Sequence, residues 1–245
     1  MGIKNLILAI PPIRTLYARL NNQHVRDVFV KAELQKLPAG SLILDAGCGS
    51  QRYRGDCAHL AYKAQDFGQY STDEKPALSA KNETPQTYQY GALDYVGDIW
   101  AIAEKDATFD AIMCTEVLEH IPYPAETLKE FSRLLRPGGT LILTAPSNCL
   151  RHFDPYFFSS GYSDRWYQKF LGDTGMTIRT LEPVGDYFSW MAVEIARTAK
   201  VSSILSRLFL LPIFLYYMGR KKTEASVNAL CMGYHVVATK RSDLA

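Results

Sequence analysis

The chain lacks the sequence marks of a metal centre or a disulfide scaffold. Its five cysteines are Cys48, Cys57, Cys114, Cys149 and Cys231; their number is odd and no two form a C-x-x-C pair. That excludes the usual zinc spacing and a fully paired framework, and it suits a reducing, cytoplasmic setting. The five histidines are scattered, with no H-E-x-x-H spacing, so no metal site is read. Net charge is only +2, too weak a field to argue for nucleic acid as a partner. No apolar run approaches the roughly 20 residues that cross a bilayer. Leu6 to Ile13 follows Lys4 but contains Pro11-Pro12 and leads into Arg14, not a small-residue cleavage site. Leu208 to Met218 is bounded by Arg207 and by Arg220-Lys221-Lys222. Internal repeats and low-complexity tracts are missing as well.

What is present is an apolar share of 47%, enough for a sizeable core in a chain of 245 residues. Val25, Val28, Phe29 and Ala32 recur at helical spacing within 22–37, and Pro38-Ala39-Gly40 stops that run. Leu42-Ile43-Leu44 reads as a buried strand ending in Asp45 and a glycine turn, and Leu60 to Gln65 as a second strand ending at Asp66. Residues 69–87 are polar and read as a loop; Gly91 to Ile99 leads into a turn and a short helix. Phe109 to Cys114 is a central strand. Pro124 to Arg136 is an amphipathic helix with Leu128, Phe131 and Leu135 on one face, ended by Pro137-Gly138-Gly139 before a strand at Thr140 to Thr144. Strand and helix alternate up to Pro146, the pattern of a parallel sheet covered on both faces. Beyond it, Trp166 to Leu171 reads as helix, and Met176 to Leu181 and Tyr234 to Thr239 as strands. The expected organisation is an N-terminal helical segment (1–39), a core (40–182), a helical, apolar insertion (183–233), and a final strand with tail (234–245).

The glycine turn is the first functional signal. In an open parallel sheet, ligands bind at the carboxyl ends of strands, and Gly47 and Gly49 let backbone come close there. Asp66 lies 21 residues after Asp45, where a carboxylate can accept hydrogen bonds from ribose hydroxyls. A dinucleotide needs G-x-G-x-x-G, but Arg52 stands in the third glycine's place. S-adenosylmethionine has no pyrophosphate, and its α-ammonium favours a nearby carboxylate such as Asp45.

Several motifs in order resemble the Rossmann-like (class I) S-adenosylmethionine-dependent methyltransferases, of the type 11 group acting on small molecules, sugars and lipids. Leu44-Asp45-Ala46-Gly47-Cys48-Gly49 is similar to the family's first motif, and Asp66-Phe67 stands where the ribose-binding acid does. Gly97-Asp98-Ile99 resembles the adenine-side motif, with Asp94 as a competitor. Glu116-Val117-Leu118-Glu119-His120-Ile121 resembles the turn after the fourth strand, and Leu134 to Leu141 the junction before the fifth. The resemblance implies a doubly wound, seven-stranded, mainly parallel sheet with the last strand antiparallel and a helical insertion before it. It implies S-adenosylmethionine held by Asp45, Gly47, Cys48, Gly49, Asp66, Phe67, Asp98, Ile99 and Glu116. It also implies in-line methyl transfer to a small-molecule, sugar or glycan, or lipid-linked acceptor. The rival readings are a catalytically silent module of the same fold and a nicotinamide-dependent oxidoreductase.

If the acceptor is a hydroxyl, a general base helps. His120 and His152 are the candidates, His152 standing in a segment similar to the His-x-x-Pro-Tyr of many relatives. Tyr156, Phe157 and Tyr162 are the candidate acceptor wall, with core packing as the competing role. The run at 208–218 has two readings. It is a helical cap on the sheet, which Pro212 and the short length favour, or residues 204–222 meet the inner face of a membrane as a peripheral contact.

Overall fold

The computed structural model describes residues 17–70 and 90–242. The expected loop at 69–87 therefore falls almost entirely outside the described residues, as do Leu6 to Ile13. The chain divides into two compact units, one of residues 29–182 with Tyr234–Ala245, the other of Met1–Val28 with Pro183–Gly233.

The larger unit is built on seven strands: β1 (Leu42–Ala46), β2 (Ala61–Asp66), β3 (Tyr95–Val96), β4 (Phe109–Thr115), β5 (Leu135–Pro146), β6 (Met176–Val184) and β7 (Gly233–Lys240). Their order is β3-β2-β1-β4-β5-β7-β6. The sheet is mostly parallel with antiparallel pairing at the last strands, an α/β Rossmann-like arrangement. The order reverses between β1 and β4, and in such sheets the ligand crevice lies at the carboxyl ends flanking that reversal.

The sheet is buried on both faces, which is why its central strands read as continuous apolar runs. Successive residues feed opposite layers. Ile43, Ala111, Met113 and Ile142 pack with Val30 and Leu34 of α1 (Asn22–Leu34). Leu44, Ile112, Cys114, Leu141 and Leu143 pack with Leu128, Phe131 and Leu134 of α2 (Pro124–Leu134). Pro124 opens α2 at a position where its missing N–H costs nothing. In α3 (Asp164–Asp173) the Ser163 side chain accepts from the Trp166 N–H at 3.2 Å, and Tyr167 and Leu171 reach the same layer.

Three expectations change. The buried stripe of α1 is Val30 and Leu34, while Val28 is 57% exposed and Ala32 is exposed too. No helix follows Gly97; residues 97–108 run through turns, with Ala101 N–H donating to Asp98 O. Pro137-Gly138-Gly139 does not separate helix from strand. The β5 strand starts at Leu135, opposite Phe109, and the register then shifts so that Thr140 faces Ala111. The triplet is a bulge inside β5, and Gly138 takes up its left-handed backbone at φ +79.

The smaller unit carries α4 (Tyr187–Val201), α5 (Ile204–Gly219) and α6 (Glu224–Ala229). Fully buried Asp186 joins two of them: its carboxylate accepts from Ser189 N–H at 2.9 Å and from the hydroxyls of Ser189 (2.6 Å) and Ser226 (2.8 Å). Arg19 donates to the carbonyls of Met218 (2.6 Å) and Arg220 (2.8 Å), satisfying the carboxyl end of α5. The run at 208–218 lies in α5, a continuous and mostly exposed helix. Pro212 sits inside α5, Met218 is its buried residue, and Ile204, Leu208, Phe209 and Leu215 are 73%, 62%, 69% and 58% exposed. Among the described residues no helix is long and apolar enough to cross a membrane.

Candidate cofactor and acceptor site

The chain leaves β1 through a turn that is closed by its neighbours. Gly47 and Cys48 N–H both donate to Gln65 O, at 2.9 and 3.0 Å. The Gln65 side chain accepts from Gly47 N–H at 3.1 Å and donates to Gly97 O at 2.7 Å, tying the turn to the end of β3. Gly47 has φ +70, and a Cβ there would lie 2.6 Å from Val117 Cγ2. Glycine is thus demanded by backbone conformation and by Val117, a second reason the spacing alone did not reveal. Sequence reasoning missed Gln65 altogether. A glutamine before a strand-end aspartate carries no signal until the partners of its amide are known.

Asp45 and Asp66 close the turn from the two adjacent strands. Asp45 is 3% exposed and accepts from the Tyr62 hydroxyl at 2.6 Å. Asp66 is 6% exposed and accepts from Gly49 N–H at 2.9 Å and Gly68 N–H at 3.3 Å. Burial pushes the Asp45 carboxyl up to about 7; the Tyr62 hydrogen bond opposes this and nearby Asp66 adds to it. Burial raises Asp66 as well. Two crowded, buried carboxylates suit a ligand that brings positive charge and hydroxyl donors, and they repel a pyrophosphate. Nor does a helix follow the turn to hold one. Residues 50–60 run through turns and one short 3-10 segment at Arg54–Cys57. The residues present therefore fit S-adenosylmethionine and not a dinucleotide.

A pH dependence follows. A cationic ligand binds ionised Asp45 better, so S-adenosylmethionine affinity is expected to rise with pH through about 7 and level off above it. In the ligand-free protein the sign is opposite. A raised acid stabilises the fold below the ordinary carboxylate range, and that contribution is lost as pH rises through the folded value. Calorimetric titrations between pH 5.5 and 8.5, wild type against Asp45→Asn, check this; equal slopes would refute it.

The remaining predicted cofactor residues differ in what they can offer. Asp94 is engaged by Lys63 Nζ at 2.7 Å and Ala64 N–H at 2.9 Å, which pins it to β2. Asp98 is exposed at the turn after β3, while Ile99 is 5% exposed and packs in the core below it. Cys48 contributes its backbone; burial raises its thiol, so it is no nucleophile. Glu116 holds a left-handed φ of 54, and its carboxylate accepts from the Thr144 hydroxyl at 3.0 Å. The Phe67 ring meets the edge of Tyr156 at 4.9 Å, so the cofactor turn and the loop after β5 touch.

That loop brings the two histidines together. The rings of His120 and His152 lie 4.7 Å apart, edge to face. Nδ1 of His120 donates to Tyr156 O at 2.7 Å and Nδ1 of His152 to Leu150 O at 2.8 Å. Burial lowers His120 to about 4, so it stays neutral at ordinary pH and is a weak base. Phe157 tilts over His152 at 5.5 Å, and Tyr70 stacks on Phe153 at 4.2 Å. Tyr162 is not brought to this wall. It is 6% exposed, its hydroxyl donates to Leu118 O at 2.7 Å, and its ring lies 4.5 Å from Trp166. Its N–H bonds Pro146 O, which returns it to the strand end and into the core.

Residues 44–143 match the family described as Methyltransferase domain. Over that span the core resembles the class I S-adenosylmethionine-dependent methyltransferases. The domain is 33% identical over 120 residues to the ubiquinone biosynthesis O-methyltransferase of Xanthomonas axonopodis pv. citri, covering 49% of this chain and 48% of that protein. The chain thus spans about half the length of the curated relatives it matches. Among solved structures, geranyl diphosphate methyltransferase in complex with SAM superposes with a TM-score of 0.56, covering 98% of this chain and 96% of that one, at 14% identity. The cyclase SpnF gives 0.53 at 20% identity, covering 88% and 80%. At such identities the likeness is one of fold, and the methyltransferase fold also serves a protein named for another reaction.

Proposed function

We propose that the chain is an O-methyltransferase that uses S-adenosylmethionine to methylate a hydroxyl of a small, lipid-like acceptor met at a membrane surface. The observation that carries the cofactor half is the pair of buried carboxylates, Asp45 and Asp66, around a glycine turn with no helix behind it. When bound, S-adenosylmethionine supplies an electrophilic methyl group on a sulfonium. Asp45 holds the ammonium, Asp66 the ribose hydroxyls, and Asp98 the adenine amino group. Tyr156 and Phe157 exclude water and hold the acceptor, which supplies most of the acceleration in such a displacement.

The acceptor class rests on the relatives named for ubiquinone biosynthesis, and the membrane on α5. Its apolar side chains are exposed beside Arg220, Lys221 and Lys222, the charge pattern that suits an anionic lipid surface. All five cysteines are free, which suits the cytoplasmic face.

The test combines transfer and flotation. Label from methyl-labelled S-adenosylmethionine is expected on hydroxyls of prenylated phenols, and not on sugars. Full-length protein is expected to float with phosphatidylglycerol vesicles and not with phosphatidylcholine ones. Leu208→Ser/Phe209→Ser should abolish flotation and leave cofactor affinity unchanged. Label on nitrogen or on sugar would overturn the O-methylation reading, and wild-type protein that never floats would overturn the membrane one.

A further inference from the structure

The ribose acid and the acceptor wall share one hydroxyl. Asp66 ends β2, and the chain reaches Tyr70 four residues later. Tyr70 is 9% exposed, and its backbone N–H donates to the Tyr90 hydroxyl at 3.2 Å. The same hydroxyl is hydrogen-bonded to the Asp66 carboxylate. A phenol has one proton to donate and lone pairs with which to accept. The carboxylate takes the proton and the Tyr70 N–H takes a lone pair, so the three groups form a chain of one direction. Asp66 also accepts from Gly49 and Gly68 N–H, at 2.9 and 3.3 Å, which joins this chain to the cofactor turn.

The backbone that delivers Tyr90 is clamped by the same turn. Gln51 is 7% exposed and donates to Ala92 O at 2.6 Å, two residues beyond Tyr90. Between them stands Gly91, where a Cβ would lie 2.5 Å from the Gln51 amide carbon. The other end of the chain is aromatic. The Tyr70 ring stacks on Phe153 of the loop after β5, with centroids 4.2 Å apart and planes within 14°, and meets Tyr156 edge to face at 6.2 Å. Phe153 has φ +60, a left-handed conformation that a residue with a Cβ keeps only where its surroundings over-determine it. The flat face of Tyr70 is part of what holds it there.

We infer that Tyr90 is a positioning residue: its hydroxyl ties the ribose acid Asp66 to the Tyr70–Phe153 stack, so that cofactor and acceptor strengthen each other's binding. Ribose hydroxyls and a cationic cofactor keep Asp66 ionised. A phenol donating to an ionised oxygen makes a charge-assisted bond, about twice as strong as a neutral one. Cofactor binding thus tightens Tyr90, then Tyr70, and fixes the face that Phe153 presents. By linkage the acceptor favours the cofactor by the same factor. Tyr90 acts through Asp66 and Tyr70, not on the reacting atoms. The coupling rests on the roles proposed above for Asp66 and the aromatic loop.

Full-length protein with 4-fluorophenylalanine at position 153 reports on the stack by fluorine NMR. S-adenosylmethionine should move that resonance in the otherwise wild-type protein. Tyr90→Phe, which keeps the ring and loses the hydroxyl, should bind the cofactor with the resonance unmoved. Tyr70→Leu, which keeps the N–H and loses the ring, should lose the response as well. With 2-prenylphenol as the acceptor, Tyr90→Phe should raise KM about fivefold or more and leave kcat within about twofold. A merely structural role would lower kcat and the unfolding midpoint together. A resonance unmoved in wild type although the cofactor binds, or moved equally in Tyr90→Phe, overturns the link, as does an unchanged KM. Wild type that binds no S-adenosylmethionine overturns the cofactor reading and the link with it. A fluorine response without label on the phenol overturns the O-methylation reading and leaves the link standing.

Discussion

Gly47→Ala is expected to cost about 2–5 kcal/mol of stability and most of the cofactor affinity. Part of that is overpacking, about 1–3 kcal/mol, because the new Cβ would lie 2.6 Å from Val117 Cγ2. The rest is left-handed strain at φ +70, about 1–2 kcal/mol for a residue with a Cβ. The two parts separate in a double-mutant cycle. Val117→Ala opens the space, so in that background Gly47→Ala should cost only the strain. Both remain unfavourable for the cofactor, since Gly47 and Cys48 N–H must keep their bonds to Gln65 O. Urea unfolding of the four proteins measures the stability part. Additive costs in the cycle would show that Val117 does not set the requirement for glycine.

Asp66→Ala is expected to weaken S-adenosylmethionine binding by about 10²–10⁴-fold. A carboxylate accepting from two ribose hydroxyls makes two charge-assisted hydrogen bonds, each of about 1.5–3 kcal/mol. The loss also frees Gly49 and Gly68 N–H, which Asp66 now satisfies at 2.9 and 3.3 Å. Asp66→Asn separates these effects. It keeps an acceptor for Gly49 and loses the charge, so the turn should hold while affinity still falls at least tenfold. Calorimetry with both variants reads the result. Unchanged affinity in Asp66→Ala would remove this residue from the cofactor site.

The central strands were legible because burial on both faces leaves one kind of residue to use; Leu42 to Ala46 and Phe109 to Thr115 follow directly. Periodicity was less decisive for α1. It announces a helix, but of the stripe through Val25, Val28, Phe29 and Ala32 it is Phe29 that reaches the core beside Val30 and Leu34, while Val28 and Ala32 are exposed, and only the sheet chooses between them. Pro137-Gly138-Gly139 looks like a stop for the same local reason, and pairing with Phe109 and Ala111, far away in sequence, makes it a bulge. In α5, composition announced apolar residues without saying which would find partners. At the site, the glycines and aspartates carry their own chemistry and could be named. Gln65, Val117 and the pairing of His120 with His152 depend on contacts between strand ends and could not.

The turn at Gly47 to Gly49, with Asp45 and Asp66, is expected to hold S-adenosylmethionine and no dinucleotide. Isothermal titration of the full chain with S-adenosylmethionine, and separately with NAD and NADP in both redox states, tests it most directly. The expected result is one molecule of S-adenosylmethionine bound per chain and no heat from any nicotinamide cofactor. Saturable binding of a dinucleotide with no binding of S-adenosylmethionine would contradict it.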